Sequence, residues 1–170
     1  MKSVWAVVPA AGSGRRLGGE IPKQYREIAG APLMEHTLQA LLASPDVRGI
    51  VVALDPSDRR ADAINSLADG RVQTVAGGAE RAHSVLAGLD LLAEDASDED
   101  WVLVHDAARP CLSIESLTAL IDCARARGEG AILAAPVSDT LKQVDDSAKV
   151  MRTLDRSILW RAQTPQLFPL

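Results

Sequence analysis

The stretch VVPAAGSGRRLGGEIPKQY, residues 7–25, decides the fold class expected for this chain of 170 residues. It starts within a short apolar, β-branched run, residues 4–8, which predicts a buried strand. Pro9 and Gly12 end that strand and begin a glycine-rich loop. Many α/β proteins present backbone N–H groups to a phosphate at such a junction. The stretch therefore predicts an α/β protein with a phosphate-binding loop after its first strand.

The remainder of the chain alternates strand-like and helix-like segments. Apolar runs typical of strands recur at residues 49–54, 72–76, 101–105 and 130–135, and helical spacing of apolar residues occurs at 33–42, 80–93 and 114–127. Ser113 and Gly128 are suited to cap the two ends of the last helix. This alternation predicts a Rossmann-like, mostly parallel sheet with helices on both faces, which binds ligands at the carboxyl ends of its strands.

The alternation stops after Pro136. Residues 137–144 and 150–155 have an extended pattern, and the polar segment DDSAK lies between them, which predicts a hairpin. Few of its positions are suited to a core, so the hairpin either protrudes toward a partner chain or pairs at the edge of the main sheet. We expect a protruding β-arm over about residues 137–156 that contributes to dimerisation.

The composition excludes several classes of protein. A formal net charge of −5, with one Tyr and one Phe, argues against binding nucleic acid. Cys111 and Cys123 form no C-x-x-C pair, which is typical of a reducing compartment. Residues 1–8 lack the apolar core of a signal peptide, and no segment approaches the ~20 apolar residues of a membrane span. We expect a single cytoplasmic domain over residues 1–170, without a membrane partner, in which the acidic run 94–100 is a solvated loop.

The glycine-rich loop fits neither of two familiar phosphate-binding motifs. The dinucleotide fingerprint needs Gly or Ala where Leu17 stands, and it must lead into a helix, which Pro22 and the preceding glycines interrupt. The P-loop signature Gly-Lys-Ser/Thr is absent from this segment. The loop is therefore a different kind of anion site.

Positive charge is concentrated in this loop. Residues 12–26 carry four cations against Glu20, a local charge of +3 in an acidic chain. Backbone N–H groups together with guanidinium forks suit several phosphates at once, which favours Arg15, Arg16 and Lys23 as phosphate ligands. The alternative of ordinary surface cations stays open, most readily for Arg26.

A second group of candidate residues follows the run 101–105. Asp106 at the end of a central strand is well placed for Mg²⁺, or another divalent metal, which binds one or two carboxylates together with phosphate oxygens. The alternative is that Asp106 caps a turn. His105 is expected to be structural, and Arg109 either pairs with Asp106 or faces an anionic ligand.

The segment GGAERAHS, residues 77–84, follows the run 72–76. Two adjacent glycines allow a nucleotide base to lie against the backbone, whose N–H and C=O groups can bind its edge, and the Ser84 hydroxyl would add a contact. A plain turn before a helix is the alternative.

Five segments together resemble one known family. PAAGSGRRLG…PKQY, GGAERAHSV, VHDAARP, APVSDTLK and LDRSILWRAQTPQLF, in this order, are similar to the 2-C-methyl-D-erythritol 4-phosphate cytidylyltransferases of the non-mevalonate isoprenoid pathway, and the resemblance runs from residue 4 to 169. Ribitol-5-phosphate cytidylyltransferases share the first loop and the HDAxRP motif. They more often have LAGG in place of PAAG and lack the DTLK and DRxxLW segments, so the erythritol family is favoured.

The resemblance implies a reaction in which CTP and methylerythritol phosphate give the CDP-alcohol and pyrophosphate. The catalytic residues that it implies are Arg16, Lys23 and Arg156, and the metal ligand is Asp106. The implied nucleotide-binding residues are Pro9, Ala10, Ala11, Gly12, Gly14, Arg15, Gly78, Ala79, Ser84, Asp106 and Ala107. The implied substrate-binding residues are Arg109, Thr140, Arg156 and Thr164, of which those on the arm would reach into the neighbouring subunit of a homodimer.

The chain departs from the family pattern at two places. Ala79 stands where many relatives have a polar residue beside the nucleotide, so a side-chain contact is lost there. Family members also continue beyond Leu170, so the expected nucleotidyltransferase domain is incomplete at its C-terminal end. A non-catalytic CTP-binding fragment is the resulting alternative to an active enzyme.

Overall fold

The computed structural model describes residues 2–12 and 21–170. Its strands are β1 (Val4–Pro9), β2 (Glu27–Ile28), β3 (Ala31–Pro32), β4 (Val47–Leu54), β5 (Val72–Ala76), β6 (Trp101–Val104), β7 (Ala131–Pro136), β8 (Lys142–Val144), β9 (Val150–Thr153) and β10 (Trp160–Pro169). Its α-helices are α1 (Leu33–Leu42), α2 (Arg81–Leu92) and α3 (Ile114–Arg127). Short 3₁₀ helices cover Lys23–Tyr25, Arg59–Ala63, Asn65–Ala68 and Arg156–Ile158.

The main sheet has six strands in the order β5-β4-β1-β6-β10-β7. Strands β5, β4, β1 and β6 pair in parallel, whereas β10 is antiparallel to both of its neighbours. The predicted mostly parallel α/β sheet is confirmed. Strand β10 was not predicted, because its sequence contains Pro165 and lacks a clean apolar alternation.

Helices cover both faces of the sheet, as predicted. On one face, Val4, Ala6 and Val8 of β1 belong to the same buried cluster as residues of α1 and α3. On the other face, Trp5 and Val7 cluster with residues of α2. Gly88 of α2 lies so close to β1 that a Cβ atom there would be 2.6 Å from Val7 Cγ1. The period-2 alternation of β1 thus holds the strand between two helical layers.

The helix ends follow local chemistry. Helices α1 and α3 have the predicted bounds, and the Ser113 side chain accepts a hydrogen bond from Ser116 N at the start of α3. Gly128 ends α3 with a φ of 67°, in the left-handed region that glycine tolerates best. Within the described residues, no helix is long and apolar enough to cross a membrane.

The arm, residues 137–156, contains a hairpin that is separate from the main sheet. Strands β8 and β9 pair only with each other among the described strands, and all their residues are exposed. The alternative of a hairpin on the edge of the main sheet is therefore wrong. Val144, Val150 and Met151 of this hairpin are at least half exposed, at 50%, 55% and 62%. These apolar side chains have no core to enter within the hairpin itself.

One expectation about the acidic run 94–100 is wrong at its last residue. Asp100 is buried, and its carboxylate accepts hydrogen bonds from Ser3 N at 2.8 Å, Trp5 Nε1 at 3.1 Å and Ser97 N at 3.2 Å. Burial favours the neutral acid, but these donors outweigh it and hold the pKa of Asp100 below its ordinary value. Asp100 thus fixes the amino-terminal end of β1 and is not part of a solvated loop.

Candidate active site

The carboxyl end of β1 forms the centre of the candidate site. Pro9 is the last residue of the strand, and Ala10 N donates to Ala53 O of β4 at 2.8 Å, which keeps the start of the loop against the sheet. The Gln24 side chain is buried and donates from Nε2 to Ala10 O at 2.8 Å and to Gly12 O at 3.0 Å. The loop backbone is therefore held at both ends of the segment 10–12.

Lys23 lies beside this loop. It begins the 3₁₀ helix Lys23–Tyr25 and is exposed, whereas the next two residues, Gln24 and Tyr25, are buried. Tyr25 belongs to the buried cluster that includes Met34 of α1. The helix therefore has a buried side that fixes its position and an exposed ammonium group. Gln24 was not predicted as a site residue, because no sequence pattern connects it to the carbonyl of residue 10.

The loop after β5 meets the loop after β1. Gly77 N donates to Leu54 O at 2.7 Å, and a Cβ atom on Gly77 would lie 2.4 Å from the Ala11 Cβ. Only glycine permits this approach. Gly77 was not predicted as a site residue, although the double glycine was the signal that pointed to this loop. The predicted nucleotide-binding backbone at residues 10–12 and at Gly78 is thereby placed on one edge of the sheet.

The Ser84 side chain supports the backbone of the loop after β5. It is buried, and its Oγ accepts a hydrogen bond from Gly78 N at 3.1 Å. The same hydroxyl can donate to Gly78 O at 3.4 Å or to Glu80 O at 3.3 Å. Ala79 is exposed beside it. The contact of Ser84 with the nucleotide stays a prediction, and its position indicates support of the Gly78 backbone.

Asp106 lies at the carboxyl end of β6 between two arginines. Arg81, the first residue of α2, donates from Nε at 3.1 Å and from Nη2 at 2.9 Å to Asp106 Oδ1, and Arg109 Nε donates to Oδ2 at 2.9 Å. Burial favours the neutral acid, but these two guanidinium groups outweigh it and hold the pKa of Asp106 below its ordinary value. Of the two alternatives for Arg109, the structure has the pairing with Asp106. Arg81 was not predicted as a site residue.

The charge balance of this cluster is positive. Two guanidinium groups face one carboxylate, and both arginines keep about half of their side-chain surface exposed, at 52% and 47%. One positive charge is left in excess at the carboxyl end of β6. The arrangement is suited to binding a polyanion.

Three further contacts fix the turn that carries Asp106. Thr164 of β10 accepts from Asp106 N through Oγ1 at 3.2 Å, and Thr37 of α1 donates to the carbonyl of the buried Ala107 at 3.0 Å. His105 is buried, and its Nε2 donates to Arg109 O at 3.1 Å. Burial lowers the pKa of His105, which favours the neutral ring. The structure thus brings Thr164 to the Asp106 turn, and His105 has the structural role that was expected.

Thr140 and Arg156 lie on the arm, and both are exposed. The Arg156 guanidinium donates to the carbonyl of Ser138, so it joins the two ends of the arm. No hydrogen bond or ion pair of the described residues connects either side chain to the Asp106 cluster. Their roles in substrate binding stay predictions. The predicted residues Gly14, Arg15 and Arg16 lie outside the described residues.

A divalent metal at this site would be coordinated by the Asp106 carboxylate together with oxygens of a bound ligand. Among residues 2–12 and 21–170 there is no group of three or more His, Cys, Asp or Glu side chains that could hold a metal ion. Both oxygens of Asp106 face guanidinium groups. One carboxylate fits Mg²⁺ when phosphate oxygens complete the coordination, so the residues present fit the metal only together with a polyphosphate.

Comparison with known proteins gives a consistent result. The family model described as 2-C-methyl-D-erythritol 4-phosphate cytidylyltransferase (IspD) matches residues 4–170. The chain is 53% identical over 166 residues to the protein of that name from Xanthomonas campestris pv. campestris, strain 8004, covering 98% of this chain and 63% of the relative. The corresponding protein of Xanthomonas oryzae pv. oryzae, strain PXO99A, is 51% identical, with 98% and 61% covered. The chain thus spans less than two thirds of the length of these curated relatives.

Solved structures have the same fold. A crystal structure of 4-diphosphocytidyl-2C-methyl-D-erythritol synthase matches with a TM-score of 0.84 and 40% identity, covering 99% of this chain and 75% of that one. The 2-C-methyl-D-erythritol 4-phosphate cytidylyltransferase of Francisella tularensis matches with a TM-score of 0.80 and 34% identity, covering 99% and 73%.

Proposed function

Because the chain belongs to the 2-C-methyl-D-erythritol 4-phosphate cytidylyltransferase family, we propose that it transfers the cytidylyl group of CTP to 2-C-methyl-D-erythritol 4-phosphate. The products are 4-diphosphocytidyl-2-C-methyl-D-erythritol and pyrophosphate. One observation carries the proposal, the positively charged cluster of Arg81 and Arg109 around Asp106 beside the backbone of residues 10–12 and 77–78. The named relatives are erythritol enzymes, so the ribitol alternative is not favoured.

In the proposed reaction, an oxygen of the substrate phosphate attacks the α-phosphorus of CTP in line. The new P–O bond forms as the bond to the β-phosphate breaks, and the electron pair leaves with pyrophosphate. Positioning and stabilisation of charge dominate such a transfer, since little covalent work is left to the protein. Lys23 and Arg16 would offset the charge that builds on the α-phosphate, and the backbone N–H groups of Ala11 and Gly12 would hold the triphosphate, since that of Ala10 is bonded to Ala53 O.

The cytosine and ribose would lie against the loops at residues 10–11 and 78–79. The contact between Gly77 and Ala11 supports this placement, because it leaves the peptide groups of two loops side by side. Ala79 offers only a methyl group there, so recognition of the base would rest mostly on the backbone.

A divalent metal, Mg²⁺ in the first place, would be held by Asp106 together with phosphate oxygens, and when bound it would neutralise part of the triphosphate charge. Asp106 would then exchange its ion pairs with Arg81 and Arg109 for the metal, and the two guanidinium groups would be available to the phosphates. We place this activity in the cytoplasm.

The arm would complete the site of a neighbouring subunit in a homodimer. Thr140 and Arg156 would bind the methylerythritol phosphate there, and Arg156 would orient the attacking oxygen. Ile158 and Trp160, next to the arm, are exposed at 77% and 63%, which supports burial against a second chain.

Pyrophosphate release tests the proposal. The chain is incubated with Mg²⁺, CTP and methylerythritol phosphate, and in parallel with ribitol 5-phosphate. We expect release with the erythritol substrate alone. Release with ribitol 5-phosphate would overturn the substrate assignment. Binding of CTP without release with either substrate would favour the non-catalytic alternative.

A further inference from the structure

The Gln24 side chain connects two parts of the candidate site that are distant in sequence. Its amide group donates to Ala10 O at 2.8 Å and to Gly12 O at 3.0 Å, and the residue is only 6% exposed. A primary amide has two N–H donors, so one side chain can bond both carbonyls. Gln24 therefore fixes the distance between the loop after β1 and the 3₁₀ helix that begins with Lys23.

Among the described residues, a further hydrogen bond joins the end of this helix to the start of α1, from Leu33 N to Arg26 O at 2.9 Å. Within the 3₁₀ helix, Tyr25 N donates to Pro22 O at 3.0 Å and Arg26 N donates to Lys23 O at 3.2 Å. The Tyr25 ring anchors it on the side of α1. The two bonds of Gln24 are the described hydrogen bonds that join it to the loop after β1.

We infer that Gln24 is a positioning residue that sets the place of the Lys23 ammonium relative to the backbone of residues 10–12. This inference rests on the proposed cytidylyl transfer, in which Lys23 acts at the α-phosphate and the loop backbone binds the triphosphate. An error of about 1 Å in such a placement costs on the order of a hundredfold in rate. Gln24 acts through Lys23 and does not itself touch the reacting atoms.

Residues 10 and 11 of the loop after β1 keep their own supports when Gln24 is changed. Ala10 N still bonds Ala53 O, and Ala11 still contacts Gly77. Loss of the Gln24 amide is therefore expected to leave CTP binding nearly intact while Lys23 moves. The consequence is a fall in kcat with little change in the KM for CTP.

Gln24→Met is the main variant, since it keeps the length of the side chain and removes both donors. We expect kcat for pyrophosphate release to fall roughly 10- to 100-fold, with the KM for CTP changed less than about threefold. Gln39→Met is the matched control. Gln39 is an exposed residue on α1 whose side-chain amide donates to Glu35 Oε1 at 2.8 Å, away from the loop, so kcat of the Gln39→Met variant is expected to stay within about twofold.

A double variant separates positioning from a general loss of structure. If Gln24 acts through Lys23, Gln24→Met has little further effect on kcat when Lys23 is already Ala. Single-turnover measurements at high enzyme concentration make these low rates accessible. Losses that simply multiply, or a Gln24→Met variant with kcat within twofold of the unaltered chain, would overturn the inference. Gln24→Asn, which retains an amide that is too short to reach both carbonyls, replaces Gln24→Met if the latter does not fold, with an intermediate fall in kcat expected.

Hydrogen exchange provides a readout that does not need the reaction. The amides of Tyr25 and Arg26 are expected to exchange at least about tenfold faster in Gln24→Met than in Gln39→Met, because the helix loses its connection to the loop. If the unaltered chain releases no pyrophosphate, the proposed function fails while this comparison still decides the role of Gln24. Unchanged exchange at both amides would then overturn it.

Discussion

At the scale of single residues, Lys23 is the first side chain to test. It is exposed on a helix whose other two residues are buried, so its replacement removes charge without disturbing packing. We expect Lys23→Ala to reduce kcat by a hundredfold or more, about 2.7 kcal/mol of lost transition-state stabilisation, with an unchanged thermal unfolding midpoint. Pyrophosphate release and circular dichroism measure the two quantities. A rate close to that of the unaltered chain would exclude Lys23 from the chemistry.

Arg81 makes a second residue-scale prediction. Arg81→Met leaves Asp106 paired with Arg109 alone and removes the excess positive charge of the cluster. We expect CTP to bind roughly tenfold more weakly, which corresponds to about 1.4 kcal/mol. Arg71→Met is the matched control, because Arg71 pairs with Asp69 before the amino-terminal end of β5 and its loss changes the net charge equally. Calorimetric titration with CTP measures both, and an equal weakening would show that only the overall charge matters.

The sequence predicted these site residues unevenly for a physical reason. Asp106 was identified because it follows an apolar strand, which is a local signal. The pair of Arg81 with Asp106 spans 25 positions, and the bond from Gln24 to Ala10 spans 14. Such contacts depend on how loops from different strands meet, and no local pattern contains that information. The short spacing of Arg109 raised its pairing with Asp106 as one alternative but did not decide it.

At the scale of elements, the arm predicts that activity is shared between chains. In mixed dimers of Lys23→Ala and Arg156→Ala, one of the two sites would contain Lys23 from one chain and Arg156 from the other. Random mixing by co-expression is expected to restore about a quarter of full activity, since half of the dimers are mixed and each has one intact site. Pyrophosphate release by the purified mixture is the measurement.

The control for this complementation is co-expression of Lys23→Ala with Lys23→Met, in which every site lacks the ammonium group. No activity is expected there. If the mixture of Lys23→Ala with Arg156→Ala also gives only the sum of its parents, the arm does not act across an interface.

The elements that were predicted best are those with strong local signals. Helix α3 has a capping serine and a terminal glycine, and its observed bounds are those predicted. Strand β10 was missed because Pro165 interrupts it, and its register shifts between Ala162 and Gln166. Its place between β6 and β7 depends on long-range pairing. The arm was predicted as a hairpin, yet only the structure shows that β8 and β9 are separate from the main sheet.

At the scale of the whole molecule, charge is unevenly distributed. The chain has a formal net charge of −5, while residues 12–26 carry +3 and the Asp106 cluster has one guanidinium in excess. An acidic surface repels polyanions in general, and a local cationic edge attracts them at one place. The fold brings cations that are distant in sequence to the carboxyl ends of β1 and β6. Polyanions are therefore attracted to the proposed CTP site at this edge of the sheet.

Acid stability is the property of the whole fold that the buried carboxylates determine. Glu35 is buried in α1, and its carboxylate accepts from Ser66 N at 3.0 Å, Ser66 Oγ at 2.7 Å and Gln39 Nε2 at 2.8 Å. Burial favours the neutral acid, but these donors outweigh it and lower the pKa of Glu35 in the folded state. The pKa of Asp100 is lowered in the same way by Trp5, Ser3 and Ser97, with a contribution from the charge of Arg48.

The lowered pKa values of Glu35 and Asp100 determine the sign of the pH dependence of stability. As pH falls through about 4.5, the ordinary pKa of a Glu side chain, the unfolded state takes up protons before the folded state does. The stabilisation by Glu35 is therefore complete above this pH and is lost progressively as pH falls toward the folded pKa, and Asp100 adds the same trend below about 3.8.

We expect Glu35→Gln to be less stable by about 1–3 kcal/mol at pH 7, and to lose less stability than the unaltered chain between pH 5 and pH 3. Urea unfolding at these pH values measures both quantities, with Glu129→Gln, an exposed carboxylate in the turn after α3, as the control. Parallel acid losses for Glu35→Gln and the unaltered chain would show that the Glu35 carboxylate does not determine this part of the pH dependence.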